Sequence, residues 1–314
     1  MRLFGLRLLQ LIPVLLIVTL ATFLLTEFLP GDPVYDILGP EARPEQIALV
    51  RQQLDLDAPL PSRYVSWVSD ALQGDLGKSL ITGRSVSATL RQRMPVNLEI
   101  AVLTQLLALL VAIPLGAWSA YRAGRRFDRA VTTTSFGVVA VPPFLSALIL
   151  VALVAYKLRW LPNTGWTPIG QGLGDNLRYI ALPVVTLALT EIAVYSQLLR
   201  SDMAATLQED YVLAARARGL SNRHVLMREA LRPSSFSLIT LAGVNLGRLI
   251  GGTVIVERIF GLPGLGTAIT QAIPAKDYTV LQGGVLLLAV AYLLINLLVD
   301  VSYTFLDPRI KRHG

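Results

Sequence analysis

DYVLAARARGLSNRHVLMREALRP, from Asp210 to Pro233, is a polar, arginine-rich stretch set between two long apolar runs, near 180–198 and 236–256. Its local chemistry specifies helix, tight turn, helix. The spacing predicts a first helix from about Met203 to Ala217, with Tyr211, Ala214, Ala215 and Arg218 on one face at i, i+3, i+4 and i+7. Alanines on that face leave the backbone open to close approach by another helix. Gly219 stands where a left-handed residue ends a helix without a Cβ penalty. Ser221 is placed to cap the next helix, with Leu220 and Val225 as a hydrophobic staple around it. Pro233 is expected at the following boundary. Such a stretch is either an ordinary amphipathic loop between two spans or a rigid knob that a soluble partner can grip.

The flanking runs belong to a set of six apolar segments, near 9–29, 98–120, 133–155, 180–198, 236–256 and 283–305. Each approaches the roughly 20 residues that cross a bilayer core. Of the 314 residues, 53% are hydrophobic and only 16% charged, against about 25% charged in soluble domains. The expected fold is therefore an all-α integral membrane protein with six transmembrane helices. The first run ends in TEFLPGDP with no small-residue cleavage site, so it is expected to remain as a helix. Positive charge sets the orientation. Arg2 and Arg7, then Arg122, Arg125, Arg126 and Arg129, fall on one side of a six-span chain. The same side carries Arg200, Arg216, Arg218, Arg223, Arg228 and Arg232, and finally Arg309, Lys311 and Arg312, which makes it cytoplasmic together with both termini. Segment 31–97 then lies outside. PEQIALVRQQLDLD and SRYVSWVSDALQG in it have helical periodicity, and Pro40, Pro44, Pro59 and Pro61 divide it into pieces. A helical cap on the spans is expected there. The predicted partition is residues 1–30 (N-terminus and first span), 31–97 (extracytoplasmic segment), 98–305 (five spans with the 203–233 loop) and 306–314 (cytoplasmic tail).

Composition also excludes. A formal charge of +7 concentrated in short loops, with 7% aromatics and no aromatic-basic motif, argues for a membrane face and against nucleic acid. With no cysteine and only His224 and His313, both cytoplasmic, there is no thiolate or histidine-rich metal site and no intramembrane serine–histidine dyad. No HExxH motif occurs, and no catalytic residue is expected. GDLGKS (Gly74–Ser79) contains GKS, yet Leu72 stands where a phosphate loop needs glycine, and the stretch lies outside. The chain is thus expected to bind no cofactor of its own. Polar residues fall inside the spans at Glu99, Gln105, Glu191, Asn245 and Arg248. A central charge costs about 2.5–3.5 kcal/mol on insertion scales, so these residues face a cavity or a partner. Pro114, Pro142, Pro143 and Pro183 are expected to kink the spans they sit in or near.

The Asp210–Pro233 stretch resembles the EAA coupling loop of type I ABC importer permeases: an alanine pair, a glycine four residues after the second alanine, then a later proline. Leu213 replaces the glutamate that opens the motif, as in the peptide-transport branch. FLPGDP (Phe28–Pro33), GDLGKS, VPPF (Val141–Phe144), LPNTGW (Leu161–Trp166) and ALPVVTLAL (Ala181–Leu189) resemble that branch in order and spacing. So do VERIFGLPGLG (Val256–Gly266), DYTVLQG (Asp277–Gly283) and NLLVDVSYTFLDPRI (Asn296–Ile310). The chain looks like the B-type permease of dipeptide, oligopeptide and nickel importers. That resemblance implies a type I ABC importer permease fold in the bacterial cytoplasmic membrane. Its implied partners are a second, homologous permease, two cytoplasmic ATPases that hold ATP and Mg, an extracytoplasmic substrate-binding protein, and lipid. Tyr211, Ala214, Ala215, Arg218, Gly219 and Leu220 would then couple to the ATPases. Glu99, Gln105, Glu191, Asn245 and Arg248 would lie along the translocation pathway; Arg248 either pairs with Glu191 or a companion carboxylate, or faces the pathway and guides a peptide carboxylate. Glu257, Phe260, Pro263, Gly264 and Gly266 would form an outer gate or binding-protein dock, as a re-entrant turn or a short outer loop. The implied cargo is di- or oligopeptide, with nickel chelates or haem as alternatives. A secondary transporter also fits the composition, but it leaves the knob unexplained and inverted repeats are not apparent.

Overall fold

The computed structural model describes residues 2–28, 34, 35, 39, 43–53 and 56–306. The FLPGDP exit beyond Phe28 and the basic tail with Arg309, Lys311, Arg312 and His313 lie outside these residues. The described chain is helical, and a single antiparallel bridge, Lys78–Ser85, is its one extended pairing. In order come α1 (Arg2–Glu27), α2 (Pro44–Gln53), α3 (Leu60–Leu72), α4 (Val86–Tyr121), α5 (Arg126–Ala140) and α6 (Pro143–Leu150). They are followed by α7 (Leu173–Thr206), α8 (Asp210–Ala217), α9 (Leu231–Gly251), α10 (Val254–Ile259), α11 (Leu265–Ala275) and α12 (Tyr278–Leu306).

Among the described residues three helices are long and apolar enough to cross a membrane: α4, α7 and the Tyr278–Val299 part of α12. A fourth stretch of that length and character is a broken pair, α5 with the Pro143–Lys157 arm, bent by 100°. The break has a covalent cause. Val141 precedes two prolines and takes an extended backbone (φ −88°, ψ 120°), because a following proline ring disfavours the α conformation. Pro143 then opens α6, where its missing N–H leaves no bond unmade. The remaining two expected runs are different. Ile12–Leu24 in α1 is apolar but shorter, and α9 has 21 residues, with Asn245 and Arg248 diluting its apolar character.

Contacts divide the chain into two compact units. One comprises residues 1–97 and 263–297, the other residues 98–262 and 298–314. In the first, α3 packs on α1 through Phe23, Tyr64 and Trp67, with ring centroids 5.6–6.5 Å apart. The Thr19 and Tyr64 hydroxyls pair at 2.8 Å, and Thr19 also reaches the carbonyl of Leu15 four residues back. That back-bond satisfies a hydroxyl within an apolar helix. The Gly74–Ser79 stretch is a loop, in which the Asp75 carboxylate accepts the N–H of Gly77 and Ser79 donates to Asp277 at the start of α12. It is not a strand-to-helix turn. Val86, Leu90, Leu265 and Ala268 form the buried cluster behind it.

The second unit is organised around α7, against which α5, α6 and α9 all pack, while α10 packs on α6. Its core joins Ala108, Ala112 and Ala117 of α4 to Tyr195, Leu199 and Met203 of α7. Alanines let helix axes approach closely where lipid supplies no hydrophobic drive. Gly243 of α9 is the tightest such point: a Cβ built there would stand 2.2 Å from Cγ1 of Val299. Gly243→Leu is expected to lose about 1–3 kcal/mol through overpacking. The check is the thermal unfolding of the purified protein, and an unchanged midpoint would show that this approach is not needed.

Candidate functional site

The polar knob is built by its caps. The first helix starts later than its spacing predicts: α7 ends at Thr206 and α8 begins at Asp210, because Glu209 is extended (φ −67°, ψ 144°) and interrupts the run. At the far end Arg218 caps α8 and Gly219 follows with φ +79°. Gly219 N–H reaches the carbonyl of Arg216 at 2.9 Å, and Leu220 N–H that of Ala215 at 3.3 Å. These are the paired bonds of a Schellman motif, for which a left-handed residue is required. Ser221 Oγ accepts the N–H of His224 at 3.3 Å, capping a helical path that runs through Asn222–His224 and a π-helical segment, Val225–Ala230, into α9. Leu220 and Val225 both join the core cluster of this unit.

Pro233 does not end a helix; it lies within the first turn of α9. It has no N–H to give the carbonyl of Glu229, four residues back. The Tyr211 hydroxyl donates to that carbonyl instead, at 3.1 Å, tying α8 to the start of α9. Burial, with the carboxylates of Glu209 and Glu229 nearby, raises the Tyr211 pKa above the ordinary phenol value and keeps it a donor.

Of the expected coupling residues, Tyr211, Ala214, Arg218 and Gly219 lie on the exposed side of the knob and Leu220 is half-buried. Ala215 is a correction to the one-face reading: it is 1% exposed, beside the buried Val212, and turns inward. Sequence spacing puts it with Tyr211 and Arg218, but it lies at the edge of that face turned toward the buried Val212, where surface gives way to core. Leu213 and Met227 are apolar and exposed next to Arg216, Arg223 and Arg228. The surface thus combines apolar contacts with a basic rim.

A second polar assembly lies between α7, α9 and α4. Glu191 of α7, whose side chain is 4% exposed, accepts Nη2 of Arg248 on Oε1 and Nδ2 of Asn245 on Oε2, both at 2.7 Å. One turn along α7 from Glu191, the Tyr195 hydroxyl donates to Oε1 of Gln105 at 3.2 Å, while Nε2 of Gln105 is buried with no hydrogen-bond partner. Glu99 is separate from this group. Its Oε2 accepts the indole N–H of Trp166 at 3.1 Å, and its Oε1 is buried without a partner. Three of the five expected pathway residues therefore form a triad, while Gln105 pairs with Tyr195 and Glu99 with Trp166.

A third assembly was invisible to residue-by-residue reading. Asp128, 3% exposed at its side chain, receives Nε and Nη2 of Arg200 at 2.8 and 2.7 Å. The Ser119 hydroxyl and the Gly124 N–H complete its shell at 2.6 and 2.8 Å. Arg200 counts among the cytoplasmic positives, yet it is a member of a closed pair. The only sequence signal was a lone acid, Asp128, among four arginines.

Most of the stretch expected as an outer gate or binding-protein dock is buried. Glu257 is buried and accepts the Thr253 hydroxyl at 2.7 Å, and the Phe260 ring is buried while its carbonyl accepts Gly165 N–H. The boundary between the two units falls after Leu262. Beyond it, Gly264 gives its carbonyl to Arg93 at 3.3 Å, and the Asn97 side chain caps α11 by accepting the N–H of Leu265 at 2.8 Å. Gly266 is buried and Pro263 exposed. Within each unit these residues form turns and caps.

Residues 112–312 match the family described as binding-protein-dependent transport system inner membrane component. Residues 1–101 match the N-terminal region described for the membrane components of the same systems. The chain is 38% identical over 305 residues to the probable peptide ABC transporter permease protein y4tP of Sinorhizobium fredii, covering 97% of both. A putative peptide transport system permease protein of Brucella abortus is also 38% identical, again over 97% of both chains. The glutathione transport system permease protein GsiC of Salmonella typhi is 36% identical over 305 residues, with 97% of each covered.

Proposed function

Because the chain belongs to the family of binding-protein-dependent transport system inner membrane components, we propose that it is the permease subunit of an ATP-driven importer of small peptides. It forms half of a translocation pathway with a second, homologous permease. Two cytoplasmic ATPases drive it, and an extracytoplasmic binding protein delivers the cargo. The six apolar runs are its spans, in the bacterial cytoplasmic membrane, with both termini inside. The α5–α6 elbow serves as the third of them.

The observation that carries this reading is the likeness to peptide and glutathione permeases over 97% of the chain. The knob supports it physically. Its apolar and basic exposed groups suit a soluble partner, and its two caps fix it rigidly to α9. Coupling requires that docking differ in free energy between the outward- and inward-facing states; Tyr211, Ala214, Arg218 and Gly219 supply the surface, and Ala215 and Leu220 its support. Glu99, Gln105, Glu191, Asn245 and Arg248 line or brace the pathway. The Glu257–Gly266 stretch shapes the outer gate through its turns, with Pro263 the exposed residue nearest a binding-protein dock.

A tagged chain is expected to co-purify with a second permease and an ATPase subunit. In proteoliposomes that assembly should accumulate a di- or tripeptide only with its binding protein outside and ATP inside. Uptake by the single chain without an ATPase would identify a secondary transporter instead.

A further inference from the structure

The two buried carboxylates of the second unit hold their arginines differently. Arg200 is engaged through both Nε and Nη2 by the two oxygens of Asp128. Its fork is filled. Arg248 is not held in this way: its Nη2 reaches Oε1 of Glu191, while Oε2 accepts Asn245. Among the described residues Arg248 is bonded through Nη2 alone, and its side chain is 64% exposed while Glu191 is 4% exposed. Of the five N–H groups of a guanidinium, four are then left for another acceptor, in the planar fork that matches a carboxylate.

Position adds a second observation. Arg248 follows Thr240 and Val244 on one face of α9 at i, i+4, i+8 spacing. Those two residues, with Phe236, Leu241 and Leu198, line a shallow hollow, open to the outside, between α9 and α7. An apolar trough ends one helical turn from an unfilled cationic fork. In a membrane span such a cation does not face lipid, since a central charge is costly there; it faces water or an anion.

We infer that Arg248 is a specificity-determining residue, which receives the free C-terminal carboxylate of a peptide as it passes along the α7–α9 trough. Glu191 and Asn245 are its positioning residues: they hold Nη2 and leave Nε and Nη1 to the cargo. The inference rests on the reading of this chain as a peptide permease. Small apolar side chains of the cargo lie against Val244 and Leu241, and the neutral Glu191–Arg248 pair keeps the site from trapping the anion.

The test uses the complete importer in proteoliposomes, supplied with alanyl-alanine or alanyl-alanine amide on saturated binding protein, with uptake scored per loaded binding protein. The wild-type assembly is expected to move the acid about tenfold faster than the amide, the worth of a charge-assisted hydrogen bond. Arg248→Gln should bring the acid-to-amide ratio to about one, scored as a ratio so that any common loss from the stranded Glu191 cancels. Arg248→Lys, which keeps the charge beside Glu191 but loses the fork, should lie between, and it reads the same ratio if the glutamine variant does not accumulate. Equal slowing of both peptides, an unchanged ratio in either variant, or loss of the companion permease from purified Arg248→Gln would overturn the inference. The last outcome would assign the fork to a protein carboxylate. Uptake of neither peptide by the wild type would instead overturn the peptide reading beneath it.

Discussion

A Gly219→Leu chain is expected to accumulate at wild-type abundance, to assemble with its partners, and to transport about 100-fold more slowly. The separation of abundance from activity follows from the site. A Cβ at Gly219 meets nothing within 4 Å, so no packing is disturbed. The cost is conformational, about 1–2 kcal/mol for a side chain held at left-handed dihedrals. That is borne by a turn already fixed by two Schellman bonds and by the Ser221 cap. What leucine does change is the exposed surface of the knob, where it projects between Arg218 and the start of the next helix. Coupling free energies are typically 1–3 kcal/mol, so losing the docking difference removes most of the transport. Gly219→Asn, which tolerates left-handed dihedrals, should fall well short of that loss. Uptake and substrate-stimulated ATP hydrolysis are the readouts. Normal uptake by Gly219→Leu at normal abundance would remove the knob from the mechanism.

The largest stability effect is expected at Arg200. Replacing it with leucine leaves the buried Asp128 carboxylate with only the Ser119 hydroxyl and the Gly124 N–H. Removing one member of a buried pair costs about 3–5 kcal/mol, since the remaining charge is stranded. Arg200→Leu should therefore lower the unfolding temperature and the abundance of the protein sharply. Asp128→Asn combined with Arg200→Leu should recover most of the loss, because no charge is then left unpaired. A double variant as unstable as the single one would mean that the pair orders the loop between α4 and α5 in some other way.

These sites were legible to different degrees, and the differences have physical causes. The caps at Gly219 and Ser221 are local, so sequence chemistry located them. The helix start at Asp210 was missed because Glu209 has no property that forbids helix; its extended backbone comes from the chain's path. Pro233 was read as a boundary since proline usually is one, yet the carbonyl it leaves without a donor is claimed by Tyr211 from another helix. Arg248 and Glu191 could be named as partners from their shared depth in the spans. That Asn245 shares the carboxylate, and that Arg248 reaches it through one nitrogen alone, depends on which oxygen each donor meets. Asp128 and Arg200 are 72 residues apart, and nothing local joins them. VPPF announced a kink, but its size depends on how α5 and α6 pack on α7.

The π-helical segment Val225–Ala230 fixes more than a local shape. The path from Asn222 to Gly251 is helical throughout, so each residue sets the angular phase of every residue after it. Removing or adding one residue in the α-helical stretch that follows it, residues 231–242, would turn the rest of α9 by about 100° about its axis. Asn245 and Arg248 would then swing off Glu191 together, and Gly243 off Val299. Between the knob and the open guanidinium, the chain can exchange many residues but cannot change its length.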